Sequence, residues 1–116
     1  IIMQHFYINP SIFENLENGN FEPIYFDCSK LWCERMFNMR KYSCIPNGKD
    51  IYGTDVFHVR LFNTNSTNQS LIAIVRHDVV KGKEMNGQIE FRNQGFNKLT
   101  VCKVEKPTER DKYGRT

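Results

Sequence analysis

No run of apolar residues in this sequence approaches the roughly 18 needed to cross a bilayer, so no membrane partner is expected. The opening Ile1-Ile2-Met3 is too short for the apolar core of a signal peptide, and the chain reads as a mature, soluble form. No serine sits in a Gly-x-Ser-x-Gly elbow, which argues against an acyl-transfer hydrolase. Gly82 and Gly87 stand isolated, so there is no glycine-rich loop to cradle a phosphate. The cysteines lack paired Cys-x-x-Cys spacing, and neither His5 nor His77 has a partner at metal-ligand spacing; no metal and no cofactor is expected. A net charge of +3 falls short of the Lys/Arg stripe that drives non-specific nucleic-acid affinity. Internal repeats and low-complexity blocks are also lacking.

What is present describes one small folded domain. The chain has 116 residues, 40% of them hydrophobic, with nine Phe and five Tyr, which is too apolar for a disordered segment. Charged residues make up 25% and keep the surface soluble. The four cysteines, Cys28, Cys33, Cys44 and Cys102, are even in number and suit two disulfides in a secreted protein. Asn65-Ser66-Thr67 and Asn68-Gln69-Ser70 are glycosylation sequons in a polar stretch, in line with secretion.

Periodicity divides the chain. Residues 1–27 alternate loosely, break at Asn9-Pro10 and Asn18-Gly19-Asn20, and resume as Pro23-Ile24-Tyr25-Phe26, which reads as an N-terminal β-hairpin. Ser29 stands at an N-cap, and Trp32, Met36 and Met39 recur at helical spacing, predicting a helix from about Lys30 to Lys41. Pro46 and Asn47-Gly48 then end the helix in a turn. Strands are expected over 55–62, 71–75, 88–92 and 99–104, and residues 93–97 read as a loop of turn formers. The fold class is therefore α+β, one helix on a four-stranded antiparallel sheet, in a single domain over 1–105 with a frayed tail over 106–116. The expected core sets Trp32, Met36 and Met39 against Phe57, Val59, Leu61, Leu71, Ala73, Val75, Ile89 and Phe91.

Four cysteines allow three connectivities. The helix-first, strand-last order favours Cys28 with Cys102 and Cys33 with Cys44, the long loop of the first bridge contributing about 4 kcal/mol on the chain-entropy model.

The polar side of the expected strands carries His58, Arg60, Arg76, Glu90 and Arg92, with Gln88 beside them. A carboxylate base, an imidazole acid and guanidinium groups for a phosphate are the parts a ribonuclease uses. A half-exposed antiparallel sheet also carries a polar face for no catalytic reason, and that ordinary reading outweighs the catalytic one.

Phe26-Asp27-Cys28 followed directly by a helix, Cys102 in the last strand, and Gly95-Phe96-Asn97-Lys98-Leu99-Thr100-Val101 leading into it form a pattern. Over about residues 20–105 it resembles the RNase-like secreted effectors of powdery mildew fungi, which are built on the fold of small microbial ribonucleases of the T1/F1 type. The resemblance implies a microbial-ribonuclease-like fold and puts His58 near the place of a catalytic histidine. It fails for the other parts. Leu71-Ile72-Ala73-Ile74-Val75 has no carboxylate, the stretch before Cys102 has no histidine, and Glu90 and Arg92 fall on a later strand. Cys33 and Cys44 have no counterpart in the family's core pattern.

The expected function is thus a secreted, catalytically inactive ribonuclease-like virulence effector with no catalytic residue. It would be a monomer, delivered into host cells, that binds a host protein such as a plant immune receptor, with weak RNA binding through His58, Arg60, Arg76, Glu90 and Arg92. Two alternatives remain: an active secreted endoribonuclease using His58, Glu90, Arg60 and Arg92, and a cystatin-like protease inhibitor. The second lacks a Gln-x-Val-x-Gly hairpin, Val79-Val80-Lys81-Gly82 being the nearest stretch.

Overall fold

The N-terminal residues alternate as a strand should: in Gln4–Ile8 (β1), Phe6 and Ile8 are buried while Tyr7 between them is 52% exposed. The computed structural model of the chain describes residues 3–50, 52–81 and 95–106. Asn9-Pro10, expected to be a break, instead starts a helix, Pro10–Glu17 (α1). The Asn9 side chain accepts the Ser11 N–H at 2.8 Å, and Pro10 occupies the first turn, where its missing N–H costs nothing. Phe13 and Leu16, one turn apart, are buried, and Gly19 at φ +83° closes the helix in the left-handed conformation that favours glycine.

Ile24–Asp27 (β2) buries Ile24 and Phe26 and leads into Lys30–Tyr42 (α2), as the Ser29 cap and the methionine spacing predict. The Ser29 hydroxyl accepts the Trp32 N–H, and Arg40 and Lys41 sit at the negative end of the helix dipole. The remaining strands are Cys44–Lys49 (β3), Asp55–Asn63 (β4), Ser66–Lys81 (β5) and Gly95–Glu105 (β6).

The architecture is α+β, but the sheet is mixed. Its order is β1-β4-β5-β6-β2, with β3 also paired to β4. The expected N-terminal hairpin is not formed: β1 runs parallel to β4, with Phe6 opposite Leu61, and β2 lies antiparallel to β6 at the far edge. A parallel pair needs a long crossover, and α1, β2, α2 and β3 together supply it. Ser43 holds β1 in place, for its buried hydroxyl accepts the Gln4 N–H at 3.1 Å and its carbonyl accepts the His58 N–H at 2.9 Å. Residues 88–92, with the expected core members Ile89 and Phe91, lie outside the described residues, as does the tail after Lys106.

Both helices contribute to one core on one face of the sheet. Phe13, Leu16, Met36 and Met39 join Phe6, Phe26, Phe57, Val59, Leu61, Leu71, Ala73, Val75 and Leu99. Trp32, expected at the centre, is only partly buried at the margin, with its ring centroid 4.2 Å from that of Phe26.

All four cysteines are free thiols in this structure, and the partners of each expected disulfide, Cys28 with Cys102 and Cys33 with Cys44, stand on separate parts of the fold. Cys28 lies beside Gly95, its Sγ 3.4 Å from where a Cβ on that glycine would stand. Cys102 is seven residues further along β6, roughly 23 Å at about 3.3 Å per residue, whereas a disulfide needs Cα atoms within about 7 Å. Cys33 lies in the second turn of α2 and Cys44 beyond its other end, the nine residue steps from Cys33 to Tyr42 spanning roughly 13 Å at about 1.5 Å per residue.

A polar seam joins α2 to the inner face of the sheet. Arg40 Nε donates to His77 Nδ1 at 2.9 Å, which leaves Nε2 to carry the ring proton and donate to Asn97 Oδ1 at 2.9 Å. Asn97 Nδ2 in turn donates to the Asp27 carbonyl at 3.0 Å. Burial, followed by the Arg40 charge, holds the His77 pKa below its ordinary value, with the Asn97 hydrogen bond opposing. The unfolded chain therefore takes up this proton first as pH falls through about 6.5. Stability should then fall with acidification, by up to about 1.4 kcal/mol per pH unit from His77, until the folded imidazole also protonates. Urea midpoints from about pH 8 down to 5 measure the slope, and His77→Gln should flatten it; a wild-type midpoint that rises on acidification contradicts a buried neutral His77.

Candidate functional site on the helix-free sheet face

The pleat of β4 sends Phe57, Val59 and Leu61 toward the helices and His58, Arg60 and Phe62 to the opposite side. Across β5, His58 is registered with Ile74, Arg60 with Ile72, and Phe62 with Ser70. On the other flank, β1 sets His5 beside Arg60 and Tyr7 beside Phe62.

Phe62 gathers the first cluster. Tyr7 stacks on it at 5.2 Å between centroids, His5 meets it edge-on at 5.2 Å, and the Arg60 guanidinium stands 5.4 Å from its centroid. Arg60 Nε donates to Ser70 Oγ at 3.1 Å, and the residue is only 6% exposed although neither α1 nor α2 covers it. Arg60 and Tyr7 share the same aromatic ring, and such contacts contribute about 0.5–1.5 kcal/mol each.

Arg76 anchors the second cluster. Its Nη1 donates to Asp50 Oδ2 at 2.8 Å, Asp78 lies 3.6 Å from its Nε, and the Tyr52 ring is 5.9 Å away. Asp50 also accepts the backbone N–H groups of Tyr52 and Thr54, each at 2.9 Å. The Arg76 hydrogen bond above all, and then these amides, hold its carboxyl below the usual range, so Asp50 is a weak base.

Among the described residues, three buried polar atoms of this face have no hydrogen-bond partner: His5 Nε2, His58 Nε2 and Thr100 Oγ1. Leaving such a group unpaired costs about 1–3 kcal/mol. Burial, followed by Arg60 and Arg35, pushes the His5 pKa down. Arg35 binds the His5 carbonyl from α2 and so ties the core side to this strand.

Of the residues expected at a site, the structure brings His58, Arg60 and Arg76 onto this one face, while Glu90 and Arg92 lie outside the described residues. Sequence reasoning missed His5, Tyr7, Phe62, Ser70, Asp50 and Thr100. The alternation of residues 3–8 signals a strand, but nothing local shows that it pairs with β4. Among the described residues, no three His, Cys, Asp or Glu side chains group as a metal ion requires, and no helix is long and apolar enough to cross a membrane. No family model, curated protein or solved structure matches the chain.

Proposed function

We propose that this chain is a secreted, non-catalytic binding protein of microbial-ribonuclease-like layout, an effector whose helix-free sheet face recognises a host protein. The observation that carries this reading is the pairing state of the face. Arg76 is engaged by Asp50 and Asp78, Arg60 by Ser70 and Phe62, and the cross-strand neighbour of His58 is Ile74, where a ribonuclease would need a carboxylate. General-base and general-acid groups typically contribute about 10² to 10⁴ each in rate, and among the described residues no carboxylate stands across from His58. Phosphate binding would also have to displace carboxylates already on Arg76. Tyr7, 52% exposed, and Tyr52, 76% exposed, present aromatic rings at the rim, a residue type enriched in protein interfaces. The aromatic-x-Cys motif at Phe26-Asp27-Cys28 supports membership among secreted ribonuclease-like effectors.

Incubating the protein with fluorescent single-stranded RNA over a pH series tests the reading. The expected result is intact RNA at every pH and no more than weak binding, unchanged by Arg76→Ala. Cleavage that vanishes in His58→Ala would establish an active endoribonuclease instead. Tight binding that weakens steeply with salt and is lost in Arg76→Ala would make RNA the partner.

A further inference from the structure

The entry to α2 carries two thiols at positions that local geometry brings together. Ser29 is the N-cap, so Cys28 immediately precedes the cap and Cys33 is the fourth helical residue; the Cys33 N–H donates to the Ser29 carbonyl at 2.9 Å. These are the two positions whose side chains meet in a hydrophobic staple, the contact that sets the angle at which a chain enters a helix. Here both members are cysteines. Burial, followed by the neighbouring Cys33, pushes the Cys28 thiol pKa up.

The surroundings hold the pair in place. The Asp27 carboxylate accepts the Ser29 N–H at 2.9 Å and fixes the turn. Asn97, buried on β6, spans both halves of the site: its Nδ2 is 3.0 Å from the Asp27 carbonyl and 3.9 Å from Cys33 Sγ. Cys28 Sγ rests over Gly95, where a Cβ would stand 3.4 Å away. Both cysteines are nevertheless exposed, so a small reagent reaches them.

We propose that Cys28 and Cys33 form a reversible dithiol–disulfide pair that staples the start of α2 covalently, in exchange with small-molecule disulfides of the glutathione class. One thiol of the pair loses its proton to solvent, and the thiolate attacks a sulfur of the small disulfide. A protein–small-molecule mixed disulfide forms, and one small thiolate leaves. The second protein thiol, deprotonated in turn, attacks the protein sulfur of the mixed disulfide, forming the Cys28–Cys33 bond and expelling the second small thiolate. Two protein thiols are oxidised, one small disulfide is reduced to two thiols, and the two protons end on the released thiolates. The staple positions of the two residues make the second attack intramolecular and fast, whereas Cys44 lies in β3 and Cys102 in β6.

The full chain is equilibrated in graded ratios of reduced and oxidised glutathione, trapped by alkylation, and digested with trypsin without reductant. Cleavage after Lys30 separates the two cysteines, so the bond appears as the peptide ending at Lys30 joined to Leu31–Arg35. This joined species should dominate, with Cys44 and Cys102 alkylated, and Cys102→Ser should leave it unchanged. Its effective concentration should be at least about tenfold higher in native buffer than in denaturant, since the fold supplies the contact. A dominant Cys28–Cys102 or Cys33–Cys44 link, Cys28 and Cys33 both alkylated at every ratio, or an effective concentration no higher in native buffer than in denaturant would each overturn the proposal.

Discussion

Replacing Phe57 by alanine is expected to destabilise the fold by about 3–5 kcal/mol, read as a lower urea midpoint at unchanged denaturant slope. Phe57 is 2% exposed and lies where several elements meet. Its strand pairs with β3 at Cys44 on one side and with β5 at Val75 on the other, and the Arg40 guanidinium of α2 stands 5.3 Å from its ring centroid. Truncation therefore removes buried apolar surface and leaves a cavity bounded by two strands and a helix, elements too firmly joined to collapse into it. Phe37→Ala provides the contrast. Phe37 is 64% exposed on the outer side of α2, and its truncation should stay within about 0.5 kcal/mol of wild type. Equal effects at the two positions would mean that β4 has been given the wrong inward face.

The second large effect is expected at Asn97, which is 2% exposed and connects three segments. Asn97→Leu keeps the volume but strands the His77 Nε2–H and the Asp27 carbonyl that Asn97 serves, at about 1–3 kcal/mol for a buried group left unpaired. The same substitution removes the hydrogen bond that opposes the lowering of the His77 pKa, so NMR titration should show that pKa moving further down. Asn97→Asp should move it the other way, because a carboxylate beside the ring favours the imidazolium. If Asn97→Leu is as stable as wild type and leaves the His77 titration unmoved, the seam contributes nothing to holding α2 on the sheet.

Asn97 also shows where sequence reading stops. In the run Asn93-Gln94-Gly95-Phe96-Asn97 it looks like one turn former among several. In the folded chain it is the inward residue of a strand, opposite Phe26 and bonded to His77. Asn9-Pro10 misleads in the same way, since the dipeptide that interrupts a strand is equally a helix cap followed by its first residue.

What the sequence determined by itself is everything written in short-range periodicity. Ser29 and the spacing of Met36 and Met39 specify α2, and the alternation of Phe57, Val59 and Leu61 specifies β4 and its inward face. Both signals arise from steric repeats of 3.6 and 2 residues and need no distant partner. Tertiary structure alone decided the rest. It placed β1 parallel to β4, so that His5 and Tyr7 join Arg60 and Phe62, and it put Cys28 at the start of β6, far from Cys102. Such pairings join segments tens of residues apart, and their choice depends on which arrangement buries Phe6, Phe13 and Met39 in one core together, a collective property that no local pattern encodes.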